Sequence, residues 1–125
     1  MKKAIITTEA PQAIGPYSQA ISFANLLFIS GQIHLDKNGT LILGDIRQQT
    51  EQCLNNIDQI LKCAGTDKNN ILKTTIFLRN IADFPIVNEV YGNFFINTIP
   101  PARSTVEVSS LPKDAKIEIE VIASI

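Results

Sequence analysis

The stretch that decides the fold runs Ala102-Arg103-Ser104-Thr105-Val106-Glu107-Val108 and then, after a link, Lys116-Ile117-Glu118-Ile119-Glu120-Val121-Ile122-Ala123. Both segments largely alternate polar and apolar side chains, with the period of two that is typical of β-strands. The link at 109–115 contains serine, proline and aspartate, which favour turns. The pattern therefore predicts strands at 102–108 and 116–123. Each strand presents a polar row: Arg103, Thr105 and Glu107 on the first, and Glu118 and Glu120 on the second.

Two interpretations of these polar rows are open. An arginine can bind a small carboxylate ligand through two hydrogen bonds, and a glutamate can position a water molecule and accept its proton. The same residues could instead form surface ion pairs on the solvated face of a sheet, where they would contribute little to stability. The residues alone favour the solvated face, because alternating charges are ordinary on one-sided sheets.

Two amphipathic helices are predicted upstream of these strands. Apolar residues at helical spacing follow Asp45, a suitable N-cap, and stop at Gly65, a suitable first residue after a helix. A second helix is expected to start at Asp83 and must end before Pro100. The segments predicted as strands are 3–8, a doubly buried strand at 26–29, the segment after a hairpin turn at 36–39 with positive φ at Asn38-Gly39, and a central strand at 71–78.

This order of elements predicts an α+β fold with both helices packed on one face of the sheet. A chain of 125 residues is too short for two helical layers, and one domain, 1–125, accounts for all of it. The uncovered face is expected to carry isoleucine and valine at 106, 108, 117, 119 and 121 beside its glutamates. Such a partly apolar surface predicts an oligomer.

Composition and charge disfavour several classes of protein and site. Eleven basic and twelve acidic residues leave a formal charge of −1, without the basic cluster that a nucleic-acid partner requires. No apolar run reaches the length of a membrane span or of a signal peptide's core, which predicts a cytoplasmic protein without a membrane partner. Cys53 and Cys63 lie about 15 Å apart along one predicted helix, too far for a disulfide. His34, the one histidine, is expected to be an exposed strand-end residue, so no metal site is predicted.

Four segments of the chain resemble the RidA (YjgF) family of reactive-intermediate deaminases. They are Ile14-Gly15-Pro16-Tyr17-Ser18-Gln19-Ala20, Ile29-Ser30-Gly31-Gln32-Ile33, the run PPARSTVEV at 100–108 and the run LPKDAKIEIEVIA at 111–123. They agree with the family in order and spacing from end to end. The resemblance implies a chorismate-mutase-like α+β domain with a mixed sheet, which forms a homotrimer with pockets between subunits.

The resemblance also implies an activity on C=N bonds, that of a 2-iminobutanoate/2-iminopropanoate deaminase. Such enzymes hydrolyse enamines and imines released by pyridoxal-phosphate enzymes, for example 2-aminoacrylate, to 2-keto acids and ammonia, with no cofactor. Arg103 would clamp the substrate carboxylate, and Glu118 would hold the attacking water and pass its proton to the departing nitrogen. The implied catalytic residues are Arg103, Glu118, Tyr17 and Thr105, and the implied substrate-binding residues are Arg103, Tyr17, Ser30, Gly31, Asn88 and Thr105.

Several alternatives to these roles remain open from the residues themselves. Tyr17 is also typical of a boundary aromatic, Ser30-Gly31 of a turn, and Asn88 of a helix surface. Glu118 and Glu120 share strand parity, and only the resemblance selects Glu118. Many family members have cysteine where this chain has Thr105, so either the mechanism needs no thiolate or the activity is altered.

Two other functions compete with deamination. A non-catalytic trimer that binds small carboxylate metabolites would keep Arg103 but would not need Glu118. A ribonuclease or translation inhibitor, as some family names suggest, would need a phosphate-binding surface, which the acidic balance and the lone histidine disfavour.

Overall fold

A six-stranded mixed β-sheet carries two α-helices on one face in the computed structural model, which describes residues 1–125. The strand order is β1-β2-β3-β6-β4-β5, and only the pair β4 and β5 is parallel. The α+β class with both helices on one face of a mixed sheet is therefore confirmed. In chain order the elements are β1 (Lys3–Ile5), β2 (Ala20–Phe23), β3 (Leu26–Gln32), α1 (Ile46–Cys63), β4 (Ile71–Leu78), α2 (Phe84–Phe94), β5 (Ala102–Glu107) and β6 (Ile117–Ser124).

Helix α1 begins and ends where its sequence predicts. Asp45 accepts a hydrogen bond from the Gln48 backbone N–H, and the Gln48 side chain accepts one from the Asp45 backbone N–H, a reciprocal capping box. Gly65 follows the last turn with φ of +79°, a conformation that glycine adopts without strain. The buried face of α1 packs with the sheet in one apolar core, which includes Cys53, Leu54, Ile57, Ile60 and Leu61. No helix of the fold has both the length and the apolar character to span a membrane.

The first third of the chain departs from its predicted strands. Strand β1 is shorter than expected, and β2 and β3 form a hairpin whose tight turn contains Ala24 at φ of +53°. The sequence pattern did not predict this turn, because alanine rarely adopts positive φ and the single turn former, Asn25, is a weak signal. After the turn at 36–39, in which Gly39 but not Asn38 has positive φ, only an isolated bridge between Leu35 and Leu41 forms.

Two burial expectations for this region were also wrong. His34 is buried, with 6% of its surface exposed, and burial lowers its pKa. Strand β3 is not covered on both sides, since Phe28 is 41% exposed on the face away from the helices. The burial of His34 and Phe28 depends on which other segments pack over them. The periodicity of side chains within one strand does not indicate this packing.

The two polar rows of the C-terminal strands lie on opposite faces of the sheet. Strand β4 lies between β5 and β6, and its buried residue Thr74 pairs with Arg103 on one side and Val121 on the other. Because paired residues point to the same face, the Arg103 row faces the helices. The Glu118 row lies on the other, open face.

This placement corrects the expectation about the uncovered apolar residues. Ile117, Ile119 and Val121 are buried beneath the helices rather than exposed. Apolar surface nevertheless remains on the open face, through exposed or half-buried side chains at Phe28, Phe77, Val106 and Ile122.

Candidate functional site

A cleft of about 630 Å³ lies on the open face of the sheet, where β3 and β6 meet. We call it the Glu118 cleft. It brings together the predicted site residues Tyr17, Ser30, Gly31 and Glu118. Glu120 lines the same cleft but is more exposed than Glu118. The remaining lining residues are Pro11, Gln12, Ile14, Gln19, Gln32, Ile33, Leu35, Pro112 and Lys113.

A bulge in β3 and a missing side chain make room for the Glu118 carboxylate. The pairing of β3 with β6 shifts register between Ile29 and Gln32, so Ser30 and Gly31 lie in an irregular segment opposite β6. A Cβ atom added to Gly31 would lie 2.7 Å from both Cδ and Oε2 of Glu118. Glycine is therefore required here for close approach of the carboxylate to the backbone.

The surroundings of Glu118 favour its protonated form. Burial raises the pKa of this carboxyl group, and the neighbouring charge of Glu120 raises it further. A carboxyl group whose pKa is raised towards neutrality accepts and returns a proton more readily than an ordinary glutamate. Of the two glutamates, Glu118 therefore has the environment of an acid–base group.

Hydrogen bonds from Ser30 and Gln19 hold the loop that carries Tyr17. The Ser30 hydroxyl donates to the Ser18 carbonyl oxygen at 2.6 Å, and the Ser30 backbone N–H donates to the Gln19 carbonyl oxygen at 3.0 Å. The buried Gln19 amide donates to the carbonyl oxygens of Thr7 and Pro11 and accepts from the Thr7 backbone N–H. Ser30 thus positions the wall of the cleft rather than pointing freely into it. Sequence reasoning missed Gln19, since a buried glutamine looks like a surface one until its partners are known.

A strained turn that contains Pro112 and Lys113 also lines the cleft. Lys113 and Asp114 both have positive φ, 53° and 58°, which costs energy in residues other than glycine. Asp114 accepts a hydrogen bond from Arg79 at 2.7 Å, which helps to hold the turn. The turn directs the chain into β6 immediately before Glu118.

Arg103, Asn88 and Thr105 do not join the Glu118 cleft. Arg103 lies on edge strand β5, two strand spacings or about 10 Å from β6 and on the opposite face. Its Nη1 donates to Asn88 Oδ1 at 2.7 Å, and its guanidinium carbon lies 4.8 Å from the Tyr91 ring centroid and 5.1 Å from that of Phe84. We call Arg103, Asn88, Phe84 and Tyr91 the Arg103 cluster.

The charge of Arg103 has no carboxylate partner within the chain. The ion pairs of the fold are those between Lys37 and Glu9, Arg47 and Glu89, Lys62 and Asp58, and Arg79 and Asp114. Arg103 is exposed, and its remaining N–H donors can receive an external carboxylate.

Thr105 carries an unused hydrogen-bonding group on the same strand and face as Arg103. Its Oγ1 is buried without a partner. Buried hydroxyl groups are normally hydrogen-bonded, so this one is suited to a ligand atom or a neighbouring chain. The free cysteines are elsewhere on α1, with Cys53 buried and Cys63 exposed. No three histidine, cysteine, aspartate or glutamate side chains are grouped so that they could hold a metal ion.

Comparison with known proteins relates this geometry to a family. The profile of the family described as endoribonuclease L-PSP matches residues 7–125. The chain is 45% identical to a Mus musculus protein named 2-iminobutanoate/2-iminopropanoate deaminase, over 98% of this chain and 91% of the relative. It superposes with a TM-score of 0.98 on YyfA of the Rid protein family from Yersinia pestis, at 55% identity and with complete coverage of both chains. E. coli TdcF with bound serine gives a TM-score of 0.94 at 40% identity, over 98% of each chain.

Proposed function

The chain belongs to the RidA/YjgF family, and from that premise we propose that it hydrolyses short 2-imino acids and their enamine tautomers to 2-keto acids and ammonia. The substrate class is that of 2-iminopropanoate and 2-aminoacrylate, which damage pyridoxal-phosphate enzymes. The observation that carries the proposal is that the fold presents both an arginine without a carboxylate partner and a half-buried glutamate whose pKa is raised. These are the two groups that a carboxylate-bearing imine needs.

The Arg103 cluster serves as the carboxylate site. A guanidinium can bind a carboxylate through two parallel hydrogen bonds, which also fixes the orientation of the substrate. Asn88 supports Arg103 from one side, and the unpartnered Thr105 hydroxyl is available as a further donor. Threonine suffices at this position because no thiolate takes part in the reaction.

The Glu118 cleft serves as the proton-transfer site. The Glu118 carboxylate holds a water molecule and takes its proton as the water oxygen bonds to the imine carbon. The same carboxyl group then gives this proton to the nitrogen, which forms a neutral carbinolamine. A second transfer through Glu118 moves the hydroxyl proton to the amino nitrogen, and ammonia leaves as the C–N bond breaks and the C=O bond forms. Tyr17 lines the same cleft. An imine is already electrophilic, and orientation with proton transfer is sufficient for its hydrolysis.

A second copy of the chain is required to complete this site. Arg103 and Glu118 lie on opposite faces of one sheet, so one chain cannot direct both at one small substrate. In a cyclic trimer each chain can present its Arg103 edge to the open face of the next, since ring interfaces join two different surfaces. The exposed Phe28 and Val106 on that face are suited to such a contact. We propose a homotrimer with three sites between subunits, each subunit being one domain of residues 1–125.

A mixing experiment tests the composite site and the activity together. Arg103→Ala and Glu118→Gln chains are prepared separately, and each is expected to have almost no activity towards an imine generated in situ by an amino-acid oxidase. When equal amounts are unfolded and refolded together, random pairing should restore about a quarter of the wild-type sites. Each restored site takes its arginine from one chain and its glutamate from the other.

The outcomes of mixing separate the alternatives. No recovery by refolded mixed oligomers would contradict a site shared between subunits. Wild-type protein that binds a 2-keto acid but never accelerates imine decay would instead favour a non-catalytic binder of small carboxylates. The two free cysteines are compatible with a reducing compartment, and we propose the cytoplasm as the location.

A further inference from the structure

The face of α2 next to β5 places two aromatic rings beside the arginine that binds the carboxylate. Phe84, Asn88 and Tyr91 follow one another at intervals of four and three residues, so they form one stripe on the helix. All three contact the Arg103 guanidinium, the rings at 5.1 and 4.8 Å and the amide through its hydrogen bond. An exposed arginine on an edge strand would otherwise sample many rotamers, since its side chain has high conformational entropy.

A buried hydrogen bond fixes Tyr91, the closer of the two rings to Arg103. The Tyr91 hydroxyl and Thr74 Oγ1 are 2.7 Å apart, and Tyr91 and Thr74 are 5% and 1% exposed. Thr74 lies on β4 directly beside Arg103 on β5, where the two residues are paired in register. The ring is therefore tied at its hydroxyl end to the strand next to the arginine that it supports.

We propose that Phe84 and Tyr91, with Tyr91 anchored by Thr74, are positioning residues that hold the Arg103 guanidinium ready for the substrate carboxylate. The inference rests on the proposed function in that the carboxylate belongs to a 2-imino acid. Aromatic rings attract a guanidinium through its face, and its N–H donors lie in the guanidinium plane. Asn88 takes one of the five donors and leaves the others for the ligand.

The first test compares ring removal with hydroxyl removal. Tyr91→Leu removes the ring, and we expect the dissociation constant of a 2-keto acid and the KM for the imine to rise about tenfold, with a smaller change in kcat. Tyr91→Phe keeps the ring but loses its hydrogen bond to Thr74, so we expect a loss of affinity that is measurable but smaller than that in Tyr91→Leu. Phe84→Leu provides a second variant should Tyr91→Leu fail to fold. Phe94→Leu is the matched control, because Phe94 lies on the same helix with its ring beside Lys68 rather than Arg103.

A double-mutant cycle distinguishes positioning from general structural support. If the rings act through Arg103, their removal should cost little further affinity in an Arg103→Lys background, because the planar group has gone. Equal losses in both backgrounds would overturn the inference. Unchanged keto-acid affinity in both ring variants would also overturn it.

A third measurement does not depend on substrate. In the ligand-free protein, NMR relaxation of the Arg103 Nε–H group should report a rigid side chain in the wild type and a mobile one in Tyr91→Leu. Equal mobility in the two proteins would contradict the positioning role of Tyr91 even if the enzyme is active. Wild-type protein that neither binds keto acid nor hydrolyses imine would contradict the proposed function, and the relaxation comparison would still decide whether the rings hold Arg103.

Discussion

The Arg103 cluster and the Glu118 cleft place their charged groups in opposite electrostatic environments. Arg103 lies exposed at the edge of the sheet, forms no ion pair with a carboxylate of the chain and is held by two rings and an amide. Glu118 lies half-buried inside the sheet, with its charge disfavoured by burial and by Glu120. A group that binds a carboxylate must stay charged, whereas a group that transfers protons needs both of its states within reach. The difference indicates a division between substrate binding and proton transfer.

The two regions also differ in what maintains them. Arg103 depends on side chains, since the rings of Phe84 and Tyr91 and the amide of Asn88 hold it. Glu118 depends on the backbone, through a bulge in β3 and the absence of a side chain at Gly31. Substitutions in the Arg103 cluster should therefore weaken substrate binding, whereas substitutions in the Glu118 cleft should slow turnover. This difference makes the division testable.

Removal of the Arg103 side chain should produce the largest effect. Arg103→Ala eliminates the charge-assisted pair with the carboxylate, and we expect kcat/KM to fall by more than about 10²-fold together with a loss of keto-acid binding. Steady-state kinetics and calorimetry measure the two effects. Arg47→Ala, which removes an arginine paired with Glu89 on the helices, is the control and should stay active. Normal keto-acid binding by Arg103→Ala would place the carboxylate site elsewhere.

Neutralising Glu118 should separate turnover from binding. Glu118→Gln keeps size and hydrogen bonding but cannot accept the proton, so we expect kcat to fall by about 10²-fold with keto-acid affinity largely retained. Glu89→Gln removes an exposed carboxylate and serves as the control. Full activity in Glu118→Gln would be consistent with the proposed deaminase activity but would show that Glu118 is not the base.

A methyl group at Gly31 should impair the Glu118 cleft without unfolding the protein. In Gly31→Ala the new Cβ would meet the end of the Glu118 side chain, which can move away at little cost to the backbone. We expect activity to fall by about tenfold or more while the free energy of unfolding changes by less than about 1 kcal/mol. Gly92→Ala is the matched control, since its Cβ would have no neighbour within 4 Å. Full activity in Gly31→Ala would show that this carboxylate position is unimportant.

The smallest effect should be a shift in the pH dependence. Activity needs the ionised Glu118, so it should rise with pH as this group loses its proton, along a limb above the pH typical of a free glutamate. Glu120→Gln removes the neighbouring negative charge and should move the limb to lower pH, although burial, the larger cause, remains. The pH profile of kcat/KM measures the shift. A limb that does not move would mean that Glu120 has no influence on the base.

Local signals in the chain were sufficient where neighbouring residues alone decide the structure. The cap at Asp45, the glycine at 65 and the β-branched run at 71–78 predicted α1 and β4 correctly. The turn at Ala24-Asn25 and the burial of His34 were not predicted, because a lone asparagine is a weak turn signal and the burial of His34 depends on distant segments.

The sequence by itself determined that two strands carry polar rows, with arginine on one and glutamates on the other. Only the tertiary structure decided that these rows face opposite ways, because alternation divides a strand into two faces without indicating which one the helices cover. The relative facing of β5 and β6 is set by their registers with β4, the strand between them. Because of these registers, Arg103 and Glu118 lie on opposite faces of one chain. The proposed reaction therefore requires a second copy of the chain.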